Sequence, residues 1–145
     1  MGGVEAIERT ASIIQRESAK KVVVVSAMSG QTDRLLNLAI ELTPSPDPRE
    51  LDVMVSTGEQ VSVALLAMAL KELGTPARSL LAHQIPIRTD DAFTRARILE
   101  IDAQSIRKVF QAREVAVVAG FQGITGENEI TTLGRGGSDT SAVAL

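Results

Sequence analysis

Six consecutive residues, Gly134-Arg135-Gly136-Gly137-Ser138-Asp139, concentrate more chemistry than any other run in the chain. Gly136 and Gly137 let the backbone approach a ligand closely and adopt positive φ. They precede a predicted helix, and free N–H groups at a helix start attract anions. Arg135 adds a planar fork suited to a carboxylate or a phosphate. The run reads as an anion-handling loop. An ordinary glycine turn, with Ser138 or Asp139 as the helix cap, accounts for the same residues equally well. The spacing matches neither the Walker A pattern nor the Gly-x-Gly-x-x-Gly dinucleotide fingerprint.

Three further segments hold reactive or polar groups. Ser26 to Thr32 offers three hydroxyls (Ser26, Ser29, Thr32) and Gly30; a strand-to-helix turn is the plainer reading. Thr57-Gly58-Glu59-Gln60 sets a carboxylate at the start of a helix. Such a Glu compensates the helix dipole, or it waits for an ammonium group. Gly120-Phe121-Gln122-Gly123 closes an apolar run. There is no Cys, which excludes disulfides, thiolate metal sites and a Cys nucleophile. His83 is the only His, so no His-based metal cluster is expected. His83, Arg95 and Arg97 read as solvated side chains.

The elements that must position these groups alternate between helix and strand. Residues 3–18 predict a helix with Val4, Ile7, Ala11 and Ile14 on one face. Val22-Val23-Val24-Val25 predicts a strand buried on both faces, the mark of a parallel sheet covered by helices. Thr32 or Asp33 would cap a helix carrying Leu35, Leu36, Leu38, Ala39 and Leu42. Pro44, Pro46 and Pro48 impose a loop, and helical pattern resumes near Arg49. Val61 to Leu73 is apolar nearly all round and predicts a central buried helix, with Gly74 past its end. Ala77 to Ala82, a short piece of Gln84 to Thr89, and Arg97 to Ile101 predict strands. Asp102 would cap a helix bearing Ile106, Val109 and Phe110. Val115 to Ala119 repeats the buried-strand signal, Gly126 to Glu129 reads as a hairpin turn, and a helix starts at Ser138. The class is α/β with a mainly parallel sheet. Ligands of such sheets bind beyond the carboxyl ends of strands. Ser26–Thr32, Gly120–Gly123 and Gly134–Asp139 are therefore expected to converge.

The bulk properties narrow the partners. The chain has 145 residues, enough for one domain, and 44% are apolar. Net charge is −3 and aromatics are 2%, which argues against nucleic acid. Met1-Gly2-Gly3-Val4-Glu5-Ala6 is neither a signal peptide nor a myristoylation site. No apolar stretch approaches the roughly 20 residues of a bilayer span. A cytoplasmic protein with no membrane partner is the expectation.

In order and spacing, four segments together resemble aspartokinase, a member of the amino-acid kinase superfamily. They are Val22-Val23-Val24-Val25-Ser26-Ala27-Met28-Ser29-Gly30, Val55-Ser56-Thr57-Gly58-Glu59-Gln60, Val118-Ala119-Gly120-Phe121-Gln122-Gly123, and Thr132-Leu133-Gly134-Arg135-Gly136-Gly137-Ser138-Asp139-Thr140. Arg49-Glu50-Leu51-Asp52 is similar to the family too. The resemblance implies a three-layer sandwich of the carbamate kinase-like type. It implies transfer of the ATP γ-phosphate, with Mg2+, to the side-chain carboxylate of L-aspartate, on the route to lysine, threonine and methionine. It also implies a homo-oligomer. By the same resemblance Glu59 would bind the substrate ammonium, and Arg135 a substrate carboxylate, helped by Ser138. Ser26 and Thr32 would line the pocket and Phe121 border it. Gly134, Gly136 and Gly137 would form the phosphate loop, and Asp139 would orient a catalytic lysine. Such chemistry needs no general base, because a carboxylate nucleophile is already ionised at pH 7. It runs on positioning and charge neutralisation.

The resemblance also implies what is missing. The family's first strand ends in a Lys-Phe-Gly-Gly-Thr-Ser-type motif, and Met1-Gly2-Gly3-Val4-Glu5 aligns just after it. Its adenine-contacting segment, second lysine and regulatory ACT domains would follow Leu145. Residues 1–145 are thus expected to be the N-terminal part of a catalytic domain. Losing one preorganised donor commonly costs about 10²–10³ in rate, so this chain alone is expected to be inactive, with unpaired sheet edges that favour self-association. One alternative is another carboxylate, carbamate or nucleotide kinase of the superfamily. A second is a non-catalytic truncated paralogue that binds aspartate or pairs with an intact kinase subunit.

Overall fold

A computed structural model describes residues 3–17 and 20–145. Met1, Gly2 and Ser18, which enter the expectations above, lie outside the described residues.

Strands β1 (Val22–Val25), β2 (Ala77–Leu80) and β5 (Val115–Ala119) form a parallel sheet in the order β1-β5-β2. Val24 pairs with Val118, and Ala77 with Val115. Every residue of central β5 is buried. Its alternation supplies two cores. Val115, Val117 and Ala119 pack with Ile7, Ala11 and Ile14 of α1 (Val4–Arg16) and with Val63, Leu66 and Leu70 of α4 (Thr57–Glu72). Ala116 and Val118 pack with Ile106 and Val109 of α5 (Gln104–Gln111). Helices thus cover both faces, giving the expected three layers. β1 departs from expectation. Only Val25 is fully buried, because among the described residues β1 has β5 as its sole strand neighbour. Val4, expected on the buried face of α1, is exposed in its first turn.

A second sheet, order β4-β3-β6-β7, joins β3 (Ile87–Thr89), β4 (Ile98–Ile101), β6 (Gln122–Ile124) and β7 (Ile130–Thr132). It is mixed: β3 runs parallel to β6, while β3–β4 and β6–β7 are antiparallel. No periodic signal marks β6, whose residues read in the sequence only as the end of β5. The chain swings from one sheet into the other at Phe121, whose φ is +66°. The hairpin turn expected at Gly126–Glu129 does join β6 to β7.

Helix α2 (Gln31–Leu42) is not capped by Thr32 or Asp33. Gly30, at φ +76°, occupies the cap position and turns the chain into the helix. Leu38 and Leu42 lie on its exposed side. Helix α3 (Pro48–Val55) begins with Asp47, whose carboxylate accepts the Glu50 N–H at 3.1 Å, and runs through Ser56 into α4. The buried apolar side chains of α4 are Val63, Leu66, Ala67 and Leu70, with Gly58, Glu59 and Ser62 buried in its first turns; Val61 and Met68 face solvent. Its C-terminus is closed as expected. Gly74, at φ +76°, donates to Lys71 O, and Thr75 N–H donates to Leu70 O, each at 2.9 Å. Pro48–Glu72 taken together is long and apolar enough to cross a membrane, which corrects the expectation that no segment reaches that length. Half of its apolar window is packed inside the fold.

Candidate ligand site at the strand ends

The carboxyl ends of β1 and β5 open into a cavity of about 650 Å³. Its walls come from the Ser26–Ala27 turn, α2, the α3–α4 rod, Phe121, and the glycine loop leading into α6 (Gly137–Ala144). The three segments expected to converge do converge. Ser26, Thr32, Glu59, Phe121, Gly134, Arg135, Gly136, Gly137, Ser138 and Asp139 all line this one cavity. His83, Arg95 and Arg97 lie outside its lining and are exposed, as expected.

Glu59 is the chemical focus. It sits in the first turn of α4 and is 3% exposed. Oε1 accepts the Ala27 N–H at 3.1 Å; Oε2 is buried without a hydrogen-bond partner among the described residues. Burial pushes the carboxyl up to about 7, against a smaller opposing pull from the Ala27 amide. Dipole compensation alone does not explain a carboxylate held this way. An oxygen left bare in a cavity wall is a receptor for a cation or a donor.

The glycine loop is shaped by backbone conformation. Gly134 and Gly136 have φ of +75° and +73°, values that a residue with a side chain adopts only under strain. Gly137 N–H donates to Gly134 O at 3.1 Å, closing the turn that launches α6. The helix cap is Gly136, with no side-chain bond from Ser138 or Asp139. Those two side chains are therefore left over from capping, which removes the plain-turn explanation for them. Ser141 fastens the loop to the strand end, donating to Gly137 O at 2.9 Å and accepting the Phe121 N–H at 3.2 Å. Arg135 and Asp139 are exposed, and no ion pair engages either among the described residues.

Reasoning from sequence assigned no site role to four polar residues that line the cavity: Asp33, which it read as a helix cap, Thr132, Asp52 and Thr94. Asp52 is on α3, and Thr94 is in the turn before β4. Asp52 lay inside a segment noted only for its resemblance. Nothing in the sequence marks Thr94, whose φ of +68° appears only in the fold. The apolar side chains Leu36, Leu51 and Val55 complete one wall. Among the described residues no lysine lines the cavity, and no three His, Asp or Glu side chains gather to hold a metal ion.

Known proteins resemble this chain throughout. The model of the amino acid kinase family matches residues 1–145. An aspartate kinase of Stutzerimonas stutzeri and an aspartokinase of Pseudomonas aeruginosa are each 57% identical over all of this chain, which spans 36% of their length. The crystal structure of aspartate kinase from Synechocystis superposes with a TM-score of 0.80 at 47% identity, over 99% of this chain and 24% of that one. The aspartokinase III of E. coli, solved with aspartate and ADP, shares the fold at a TM-score of 0.74 and 24% identity, over 97% of this chain and 43% of its own. With its three-layer α/β core and its glycine loop at the strand ends, the chain belongs to the amino acid kinase family.

Proposed function

We propose that residues 1–145 form the amino-acid-binding part of an aspartate kinase catalytic domain. The observation that carries this reading is the bare Oε2 of Glu59 in the same cavity as the guanidinium of Arg135, which no ion pair engages among the described residues. A ligand with one ammonium and two carboxylates complements that pair. The ammonium would satisfy Oε2 and restore the charged state of Glu59. Arg135 would take a carboxylate in a two-pronged contact, with Ser138 beside it. Ser26 and Thr32 would supply hydroxyls, and Phe121 an apolar border. The family relation and the 57% identity to an aspartate kinase support aspartate as that ligand.

In the complete enzyme the side-chain carboxylate of aspartate would attack the γ-phosphorus of MgATP, forming an acyl phosphate and releasing ADP. That would be the first step of lysine, threonine and methionine synthesis, a cytoplasmic role. The residues here would orient the nucleophile. The amides of Gly134, Gly136 and Gly137 would face negative charge. Asp139 would orient a lysine; among the described residues no lysine lines the cavity. The donor set here does not itself make a divalent-cation site, so Mg2+ would arrive with the nucleotide.

That no lysine lines the cavity among the described residues supports a second reading: the chain on its own binds aspartate without transferring phosphate. Calorimetry tests the aspartate site that both readings share, and ADP release separates them. L-Aspartate should bind, and succinate, which lacks the ammonium, should bind more weakly. Absence of any heat with aspartate would overturn the proposal. ADP release dependent on both aspartate and ATP would refute inactivity of the chain.

A further inference from the structure

Asp52 has no ligand role above, yet it is among the most enclosed polar groups in the fold. Its side chain is 0% exposed, and no cation pairs with it among the described residues. Three donors satisfy it. Oδ2 accepts the Thr94 N–H at 2.8 Å and the Thr132 N–H at 2.9 Å; Oδ1 accepts the Thr132 hydroxyl at 2.7 Å. Burial raises its carboxyl above the usual range, and those three bonds pull the other way. A buried carboxylate kept at such cost, far in sequence from its partners, is holding something in place.

What it holds is the root of the glycine loop. Thr94 is β-branched and sits at φ +68°, a sparsely populated region that persists only where neighbours enforce it. Asp52 supplies the bond to its amide. Thr132 lies two residues before Gly134. Gly134 packs on Thr94 so closely that an added Cβ would stand 3.3 Å from Thr94 O. Ala96 N–H donates to Thr132 O at 2.8 Å, locking the two segments together. Glu59 follows Asp52 by seven residues on the same α3–α4 rod.

We propose that Asp52 is a positioning residue: by fastening Thr94 and Thr132 to the rod that carries Glu59, it sets where Arg135 stands relative to the Glu59 carboxylate. The affinity arm of the test rests on the aspartate reading above; the exchange arm does not.

The chain is compared as wild type, Asp52→Asn, and Val63→Ala. Val63→Ala is a core truncation that lowers stability at a residue outside the cavity lining. Amide hydrogen exchange by NMR and calorimetry with L-aspartate are the readouts. Asp52→Asn can keep one carbonyl oxygen toward the two amides, but it removes the charge that strengthens both bonds and sets an NH2 against the Thr132 hydroxyl. It should speed exchange at Thr94, Thr132, Gly134 and Gly136 by about tenfold or more, the loss expected for a charge-assisted bond. Exchange at these amides in Val63→Ala should follow global stability alone. Aspartate affinity should fall by about tenfold in Asp52→Asn and stay unchanged in Val63→Ala. If Asp52→Asn does not fold, Thr132→Val, which deletes one bond of three, should show the same pattern at smaller amplitude. Exchange at Thr94 and the loop no faster than in Val63→Ala would overturn the proposal. Faster exchange in a wild-type background that binds no aspartate would uphold the positioning role and sink the aspartate reading instead.

Discussion

Gly120 and Ser138 meet with no room for a methyl group between them. An ideal Cβ on Gly120 would stand 2.9 Å from both Cβ and Oγ of Ser138, and 2.9 Å from Cγ1 of Val24. The start of α6 therefore rests directly on the backbone that leaves β5. Gly120→Ala must push α6 away from the sheet or tilt Ser138 out of the cavity wall. Overpacking of this kind costs about 1–3 kcal/mol. For a domain of this size that lowers the melting temperature by roughly 3–10 °C. An unchanged melting temperature in a calorimetric scan would show that the contact has slack.

Glu59 predicts how stability varies with pH. Its ordinary value is 4.5 and burial raises it to about 7, so the folded chain holds a proton that the unfolded chain has released. The resulting stabilisation is fully present below pH 4.5 and is lost as pH rises through 7. The shift corresponds to about 3 kcal/mol. Glu59→Gln, which stays neutral, should match wild type near pH 4.5 and exceed it at pH 8. Denaturant titrations at the two values measure this; equal differences at both would remove Glu59 as the cause. A bound ammonium favours the ionised carboxylate, so aspartate should release a proton below pH 7. Its affinity should then fall by about tenfold per unit as pH drops from 7 toward 4.5.

Thr94 predicts a reversal of the usual order of alanine and glycine. At φ +68° an alanine is strained much as threonine is, and glycine is not. Thr94→Gly should therefore be more stable than Thr94→Ala by about 1 kcal/mol. Ordinarily glycine is the less stable of the two, because it loses more backbone freedom on folding. Equilibrium unfolding of the two variants decides the sign, and an alanine variant equal to or above glycine would mean the turn relaxes.

The two buried strands, β1 and β5, are written in the sequence as unbroken apolar runs, and the site follows from them. A parallel sheet puts its ligand beyond the strand ends, so Ser26, Phe121 and the glycine loop had to share a region. Glu59 was visible as a carboxylate at a helix start, but its bare oxygen was not, since burial is a property of the packing. Asp52 was illegible for the same reason: its partners are 42 and 80 residues away. β6 and β7 were missed because three-residue strands containing Gln, Gly and Thr carry no alternation. The capping of α2 by Gly30, in place of Thr32 or Asp33, turned on a positive φ that side-chain preference does not report. The extent of α4 burial failed because an all-apolar sequence does not say which side faces the sheet.

Arg135 predicts a loss of binding without a loss of stability. It is exposed, makes no ion pair among the described residues, and borders the cavity. Substitution of such a side chain leaves stability within about 0.5 kcal/mol. If it grips a ligand carboxylate with both prongs, Arg135→Ala removes a charge-assisted pair of about 1.5–3 kcal/mol, a weakening of roughly 10- to 100-fold in aspartate affinity. Arg135→Lys keeps the charge but not the fork, so it should recover only part of that loss. The comparison also separates specific contact from general attraction. A merely electrostatic role would let lysine restore binding fully and would make the effect vanish at high salt. Calorimetric titrations of the three proteins at low and high salt, beside their melting curves, distinguish the two outcomes.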